Sequence, residues 1–346
     1  MNRILIHYIS VQKILIAGAG SIGTVVGAFL SDENEVILLR RHEPYPNLPI
    51  KVVGVEETST VLPVENIQSL PKKIEVDLII VTCQSQQTDD LIRSLRPHIS
   101  NIPLIISLQN GVGNYEAIRA RFKDNPIVLG TVWWSATQID KTNVYYHRKA
   151  ETIIGRKAED SKTDDTHVIK VEKLLSKYFQ VKRTIDINLE IHRKLTLNVV
   201  SPVLALVKQP YPQGFIEEGT KRLAHAMFDE AVNAMLPNFE LLLDDKLLKA
   251  HSLLKGDVDI PPPETTEFTH KVSSQISMEK YGGAKSNVEA LLLPIIRIGL
   301  ITKKPTPTIQ NVLDYIVQLP STYHRHSEKE LESLIVSWNN CSLLIE

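Results

Sequence analysis

Lys13-Ile-Leu-Ile-Ala-Gly-Ala-Gly-Ser-Ile-Gly23 reads as a buried strand running straight into a glycine turn and then a helix. Ile14, Leu15 and Ile16 are the continuous apolar run of a central parallel strand. Ile22, Val25, Val26 and Phe29 then recur at helical spacing, as residues facing a sheet do. Gly18, Gly20 and Gly23 make a G-x-G-x-x-G, a weak signal alone that gains weight from the strand before it and the helix after it. A dinucleotide pyrophosphate needs this arrangement. Gly18 permits the tight turn, Gly20 lets the backbone approach the phosphates, and Gly23 lets helix and strand pack closely. Ser21 and Ile22 open the helix, whose first N–H groups and positive dipole end face the anion.

The second strand, Glu35-Val-Ile-Leu-Leu39, ends in Arg40-Arg41. A unit that prefers NAD carries a carboxylate for the ribose hydroxyls about 20 residues past the glycines. Paired guanidinium groups hold a 2′-phosphate instead, by charge-assisted and often bidentate bonds, so NADPH is the expected cofactor. The plainer reading of the pair is a solvated basic loop.

At 346 residues the chain is long enough for two domains, each with its own core. Its 39 basic and 40 acidic side chains leave no electrostatic footprint for nucleic acid or an anionic membrane. The longest apolar runs, such as 78–81 and 290–294, are far too short to span a bilayer. Residues 1–12 are apolar but lack a small-residue cleavage site, and read as an extension rather than a secretory signal. Cys83 and Cys341 have no metal-ligand spacing, and neither do His147 and His192, so no metal is expected. Two cysteines in a chain of this length fit a reducing, cytoplasmic setting.

The first half alternates short apolar strands with helical stretches, the pattern of a parallel sheet covered on both faces. Candidate strands are 13–17, 35–39, 77–82, 103–107 and 127–130, with a short amphipathic helix over 88–95. The alternation over 142–155 predicts an antiparallel hairpin closing the sheet edge. Gln109-Asn110-Gly-Val-Gly113 follows the fourth strand directly, at the carboxyl end where open α/β sheets bind ligands. Trp133-Trp134 reads as core or interface, with a lining role at a cleft mouth as the alternative. After about residue 185 helical periodicity takes over, in segments 187–206, 218–236, 240–254, 266–281, 287–299, 307–318 and 328–338. Proline-rich breaks fall at 210–214 and 259–263. The expected fold is therefore α/β, a Rossmann-type parallel sheet over 1–185, followed by an all-α domain over 186–346. Several of its helices are candidates for pairing with a second copy in a homodimer.

The helix from about Leu189 carries Lys194, Asn198 and Ser201 at i, i+4 and i+7, a polar stripe among Ile191, Leu195, Val199 and Val200. A lysine beside buried surface has reason to move its pKa towards neutrality, which suits proton donation. Asn198 could then hydrogen-bond a substrate oxygen. A surface lysine with an asparagine one turn on is the commoner meaning of the same spacing.

The chain resembles the ketopantoate reductase family. The matching features are the 18–23 turn, Arg40, Gln109-Asn110-Gly111-Val-Gly113, the hairpin ending Ile154-Gly155, and Lys194-Leu-Thr-Leu-Asn198. Ser277-Met278 and Ile298-Gly299 with Lys304-Pro305-Thr306-Pro307 follow in order. The resemblance implies that Lys194 donates a proton to the carbonyl oxygen as hydride reaches the carbonyl carbon. It implies that Asn198 and Ser277 bind substrate and that Asn110 meets the nicotinamide end of NADPH. It implies 2-dehydropantoate reduction, a step towards pantothenate, or reduction of an altered small carbonyl substrate.

The chain departs from the family in the groups that grip ketopantoate. Gln84 stands where a lysine used by the cofactor and substrate region is expected. In Lys285-Ser286-Asn287-Val288-Glu289, Asn287 stands where a glutamate acts on the substrate hydroxyl. The second family asparagine falls on Pro202 or Ser201, and Tyr281 takes a place often held by aspartate. Losing a buried charged contact costs about 2–4 kcal/mol, enough to change selectivity. The competing reading from another class is an NADP(H)-binding sensor or scaffold with little turnover; a dehydrogenase of 3-hydroxy acids or opines explains the 110–113 loop less well.

Overall fold

The computed structural model describes residues 11–40, 44–238, 242–260 and 273–336. Arg41, Cys341, most of the amino-terminal extension and the start of the expected 266–281 helix lie outside them. The chain divides into two compact units, one ending at Ile187 and lacking only Asn110–Val112, the other made of that tripeptide and everything from Asn188 onward.

Among the described residues the first unit holds eleven strands and four α-helices. In chain order they are β1 (Lys13–Ala17), α1 (Ser21–Leu30), β2 (Glu35–Leu39), β3 (Tyr45–Gly54), β4 (Thr58–Glu65) and β5 (Leu78–Val81). Then come α2 (Thr88–Leu95), β6 (Leu104–Ser107), α3 (Asn114–Arg121), β7 (Ile127–Val132) and β8 (Ser135–Gln138). β9 (Asn143–Arg148), β10 (Glu151–Gly155), α4 (Asp165–Leu175) and β11 (Gln180–Arg183) complete it. One mixed sheet runs β11-β10-β7-β6-β5-β1-β2-β4-β3-β9-β8. Its centre, from β7 through β6, β5 and β1 to β2, is wholly parallel. The apolar runs of β1, β5 and β6 are buried because both sheet faces are covered.

The expected hairpin over 142–155 does not form. β9 lies parallel to β3 and antiparallel to β8, whereas β10 lies antiparallel to β7 and parallel to β11, at the other end of the order. Alternation marks a strand without naming its partner, and β3 and β7 each offer an edge. The β3–β4 meander that supplies one of those edges is missing from the sequence reading, because its face alternates through threonine, serine and proline. Trp134 is core: it stacks on Phe179 at 5.3 Å, meets Tyr146 edge-on, and its Nε1 donates to Thr152 Oγ1 at 2.9 Å.

The second unit is helical: α5 (Ile187–Asn198), α6 (Ser201–Val207), α7 (Glu218–Met235), α8 (Asp245–Lys255), α9 (Ser273–Tyr281), α10 (Val288–Thr302), α11 (Pro307–Ile316) and α12 (Glu328–Glu332). Leu223, Met227, Phe228, Ala231 and Met235 form the buried stripe of α7, packed with Leu292 and Ile295 of α10 and Ile309 and Val312 of α11. The single helix expected over 187–206 is two. Pro202 has no N–H for the carbonyl four residues back and its ring would strike it, so α5 stops at Asn198 and proline sits in the first turn of α6.

Candidate active site

The glycine turn has the geometry of a phosphate cradle. Gly18 adopts φ +117, and a Cβ there would lie 2.4 Å from the Cys83 nitrogen. A Cβ on Gly23 would lie 2.2 Å from the Gly18 carbonyl oxygen, which also accepts a hydrogen bond from Thr82 Oγ1 at 2.6 Å. A Cβ on Gly20, at the N-cap of α1, would meet nothing within 4 Å, so this backbone is open to a ligand. No side chain caps α1 and its first turn holds no acidic residue. An anion is what such a terminus lacks, and the residues present fit a dinucleotide pyrophosphate.

Because β1 and β2 are parallel neighbours, Arg40 emerges at the same end of the sheet as the glycine turn. Its guanidinium donates to the Lys141 carbonyl at 2.7 Å, its backbone N–H donates to the Glu65 carbonyl, and its buried Nε has no partner. Burial lowers its pKa from the usual arginine range. Among the described residues no carboxylate pairs with it. The turn from β8 to β9 completes this corner: the Gln138 N–H donates to Ser21 Oγ at 3.2 Å, and Lys141 Nζ donates to the Tyr45 hydroxyl. Asp140 holds the turn by accepting from the Asn143 side-chain amide at 2.7 Å and from the Thr142 and Asn143 N–H groups at 2.7 and 2.8 Å, and these bonds bring its carboxyl down to about 2. Gln138 and Lys141 escape a sequence reading; Asp-Lys-Thr-Asn143 signals a turn, but not one that reaches the first helix.

Gln84 leads the loop after β5 as cap of a 3-10 turn over Ser85–Gln87, and its side-chain carbonyl accepts from Gln86. Beneath it, Gln109 Nε2 donates to the Cys83 carbonyl and to Thr88 Oγ1, Thr88 donates to Asn114, and Ser107 donates to Gln109. This buried chain ties the carboxyl ends of β5 and β6 to α2 and α3. Burial pushes the Cys83 thiol up to about 11, so it is an inert packing residue.

In the helical unit, Lys194 and Asn198 share one half-buried face of α5, while Leu195, Thr196 and Val199 are buried. Arg193 is occupied by Glu190 at 2.6 Å and by the Leu242 carbonyl at 3.0 Å. Ser201 leaves the expected stripe with the helix break, and its hydroxyl donates to Ser274 Oγ of α9 at 2.9 Å. One turn on, buried Ser277 accepts from the Asn287 N–H at 2.9 Å, so these two expected substrate residues are neighbours. Asn110 is exposed, and Val112 two residues on packs against the helical core.

The family model for ketopantoate reductase of the PanE/ApbA type matches residues 14–159. The 2-dehydropantoate 2-reductase of Aquifex aeolicus is 25% identical over 86% of this chain and 94% of its own length. That of Pyrococcus abyssi is 32% identical over 31% of this chain, a match spanning only 36% of the relative. Among solved structures, D-mandelate dehydrogenase with NADH and anilino(oxo)acetate superposes with a TM-score of 0.72 at 19% identity, covering 93% of this chain and 99% of the other. Over residues 14–159 the chain is similar to the ketopantoate reductases.

Two of the features named for the resemblance are structural here. A Cβ on Gly299 would lie 2.6 Å from the Lys304 carbonyl, so glycine lets the chain turn back at the end of α10. The Thr306-Pro307 pair starts α11, whose Thr308 and Ile309 N–H groups donate to the buried Glu230 carboxylate at 2.9 and 3.0 Å. Burial raises the Glu230 pKa and these bonds oppose the rise. Glu289, two residues past Asn287, is exposed.

Proposed function

We propose that this protein is an NADPH-dependent reductase of small 2-oxo acids. The observation that carries this reading is the open, uncapped start of α1 at Gly20 with Arg40 at the tip of the adjacent strand. A reduced nicotinamide, when bound, supplies hydride to the carbonyl carbon. The chain's own part is binding, orientation and proton delivery. The glycine turn holds the pyrophosphate, and Arg40 with Arg41 holds the 2′-phosphate. Lys194 donates a proton to the carbonyl oxygen and stabilises the developing alkoxide, while Asn198 hydrogen-bonds the substrate. Asn110 orients the nicotinamide end, and Ser277 keeps Asn287 in position at the start of α10.

The substrate preference departs from ketopantoate. An amide at 287 in place of a carboxylate weakens the grip on a substrate hydroxyl, and Gln84 removes a positive charge. Compounds without that hydroxyl are favoured, in keeping with a structural relative that was solved with anilino(oxo)acetate. The test is loss of NADPH absorbance with a panel of 2-oxo acids, with and without the 4-hydroxyl, using Lys194→Ala as control. Turnover that falls by about 100-fold or more in the variant supports the reading. Tight NADPH uptake with no turnover on any member of the panel refutes it and favours a nucleotide sensor.

A further inference from the structure

The helical unit holds a second cluster of chemistry-bearing side chains that the reduction does not use. His225 and Asp229 lie one turn apart on α7, and His251 comes from the middle of α8. Their tips converge: His225 Nε2 to His251 Nε2 is 3.3 Å, His251 Nε2 to Asp229 Oδ1 is 3.2 Å, and His225 Nε2 to Asp229 Oδ2 is 3.5 Å. We propose that His225, Asp229 and His251 bind a divalent transition metal ion of the zinc class, which clamps α8 onto α7.

The distances carry the argument. Zinc binds imidazole nitrogen and carboxylate oxygen at about 2.0–2.1 Å, and two such donors at the tetrahedral angle lie about 3.3–3.4 Å apart. At the right angle of an octahedral ion they would be about 2.9 Å apart. The imidazole pair, at 3.3 Å, matches the tetrahedral value, and each imidazole also reaches its own carboxylate oxygen, Oδ1 for His251 at 3.2 Å and Oδ2 for His225 at 3.5 Å. The donor set, two imidazoles and one carboxylate, also belongs to metals of this class rather than to magnesium or calcium. Phe228 stacks on the His251 ring with centroids 5.9 Å apart, which fixes the direction of that ligand. All three side chains are partly exposed, leaving the fourth position to water.

A neighbouring triad shows what a non-binding cluster looks like. His324, His326 and Glu330 also lie close together. His326, however, spends one ring nitrogen on the Leu206 carbonyl and the other on the Tyr315 hydroxyl at 2.7 Å. Both of its ring nitrogens are engaged, so this triad is a hydrogen-bonded joint and serves as the internal control.

The experiment is titration of the full-length, tag-free protein with Zn2+ and Co2+. The expected result is one equivalent per chain, with the intense visible bands of tetrahedral Co2+ and a zinc-dependent rise in Tm that a chelator reverses. His251→Ala should weaken binding by about 100-fold and Asp229→Asn by about 10-fold or more, with helical content by circular dichroism unchanged. His324→Ala should bind as the parent does. If His251→Ala fails to fold, His225→Asn carries the same expectation from α7. No uptake, an octahedral Co2+ spectrum, or uptake unaltered by substitution at 225 or 251 overturns the site.

Discussion

The guanidinium of Arg40 is partly withdrawn from water, anchored by one bond to the Lys141 carbonyl, and left with an unpartnered Nε. A side chain so placed is pre-oriented, and under the proposed reading a 2′-phosphate would meet a cation that has already lost part of its hydration. Arg40→Ala should therefore raise the KM for NADPH by about 10–100-fold, the equivalent of one charge-assisted contact, and leave that for NADH nearly unchanged. Steady-state kinetics with both nucleotides checks this, and equal losses would point to a packing role. Adding Arg41→Ala should widen the difference. That an arginine ends the second strand is legible in the sequence; that its other partner is a carbonyl about a hundred residues later is not.

Elements show the same division. The turn between β8 and β9 is held by Asp140, whose oxygens accept from Thr142 and Asn143, and its Lys141 carbonyl in turn orients Arg40. Asp140→Ala should loosen that carbonyl and raise the KM for NADPH by about 3–10-fold, with kcat at saturation unchanged, a smaller effect than removing Arg40 itself. The carboxyl titrates at about 2 in the folded chain, below its ordinary 3.8. Its stabilising contribution is thus present above about pH 4 and is lost as pH falls through about 2. Asp164, the N-cap of α4, and Glu330, which accepts from the Ser327 N–H at the N-cap of α12, are likewise held at about 2. Tm should fall steeply between pH 4.5 and 2, by the values these groups take, and less so for Asp140→Ala or Glu330→Gln relative to each variant's own neutral value. Elsewhere in the fold, β9 and β10 are both visible as alternating segments, yet each pairs with a strand distant in sequence. The α5–α6 break is decided by a single proline.

For the whole molecule the deciding contacts are those between helices far apart in the chain. Glu230 on α7 receives the first N–H groups of α11, a tertiary cap replacing a local one, and it is buried. Glu230→Ala leaves two backbone donors unsatisfied in the core and should cost about 2–4 kcal/mol, read as a drop in Tm and in the denaturant midpoint. Burial places the folded pKa of this carboxyl above its ordinary 4.5. The sign is opposite to that of Asp140: its favourable linkage is complete below about pH 4.5 and is lost as pH rises through the raised value. The stability of the parent relative to Glu230→Gln should accordingly decline as pH rises across that window.

Local chemistry carried far along this chain. The apolar run into the glycine turn, the basic tip of the second strand, the helix over 88–95 and the change to helical periodicity near 185 all act over a few residues, so composition and spacing reveal them. Partner choice among strands, the capture of Asp140's turn by Arg40, Ser277's bond to Asn287 and the meeting of His251 with His225 and Asp229 join groups from ten to about a hundred residues apart. No periodicity encodes such pairs. They depend on which edges and faces remain to be covered once the nearer elements have packed.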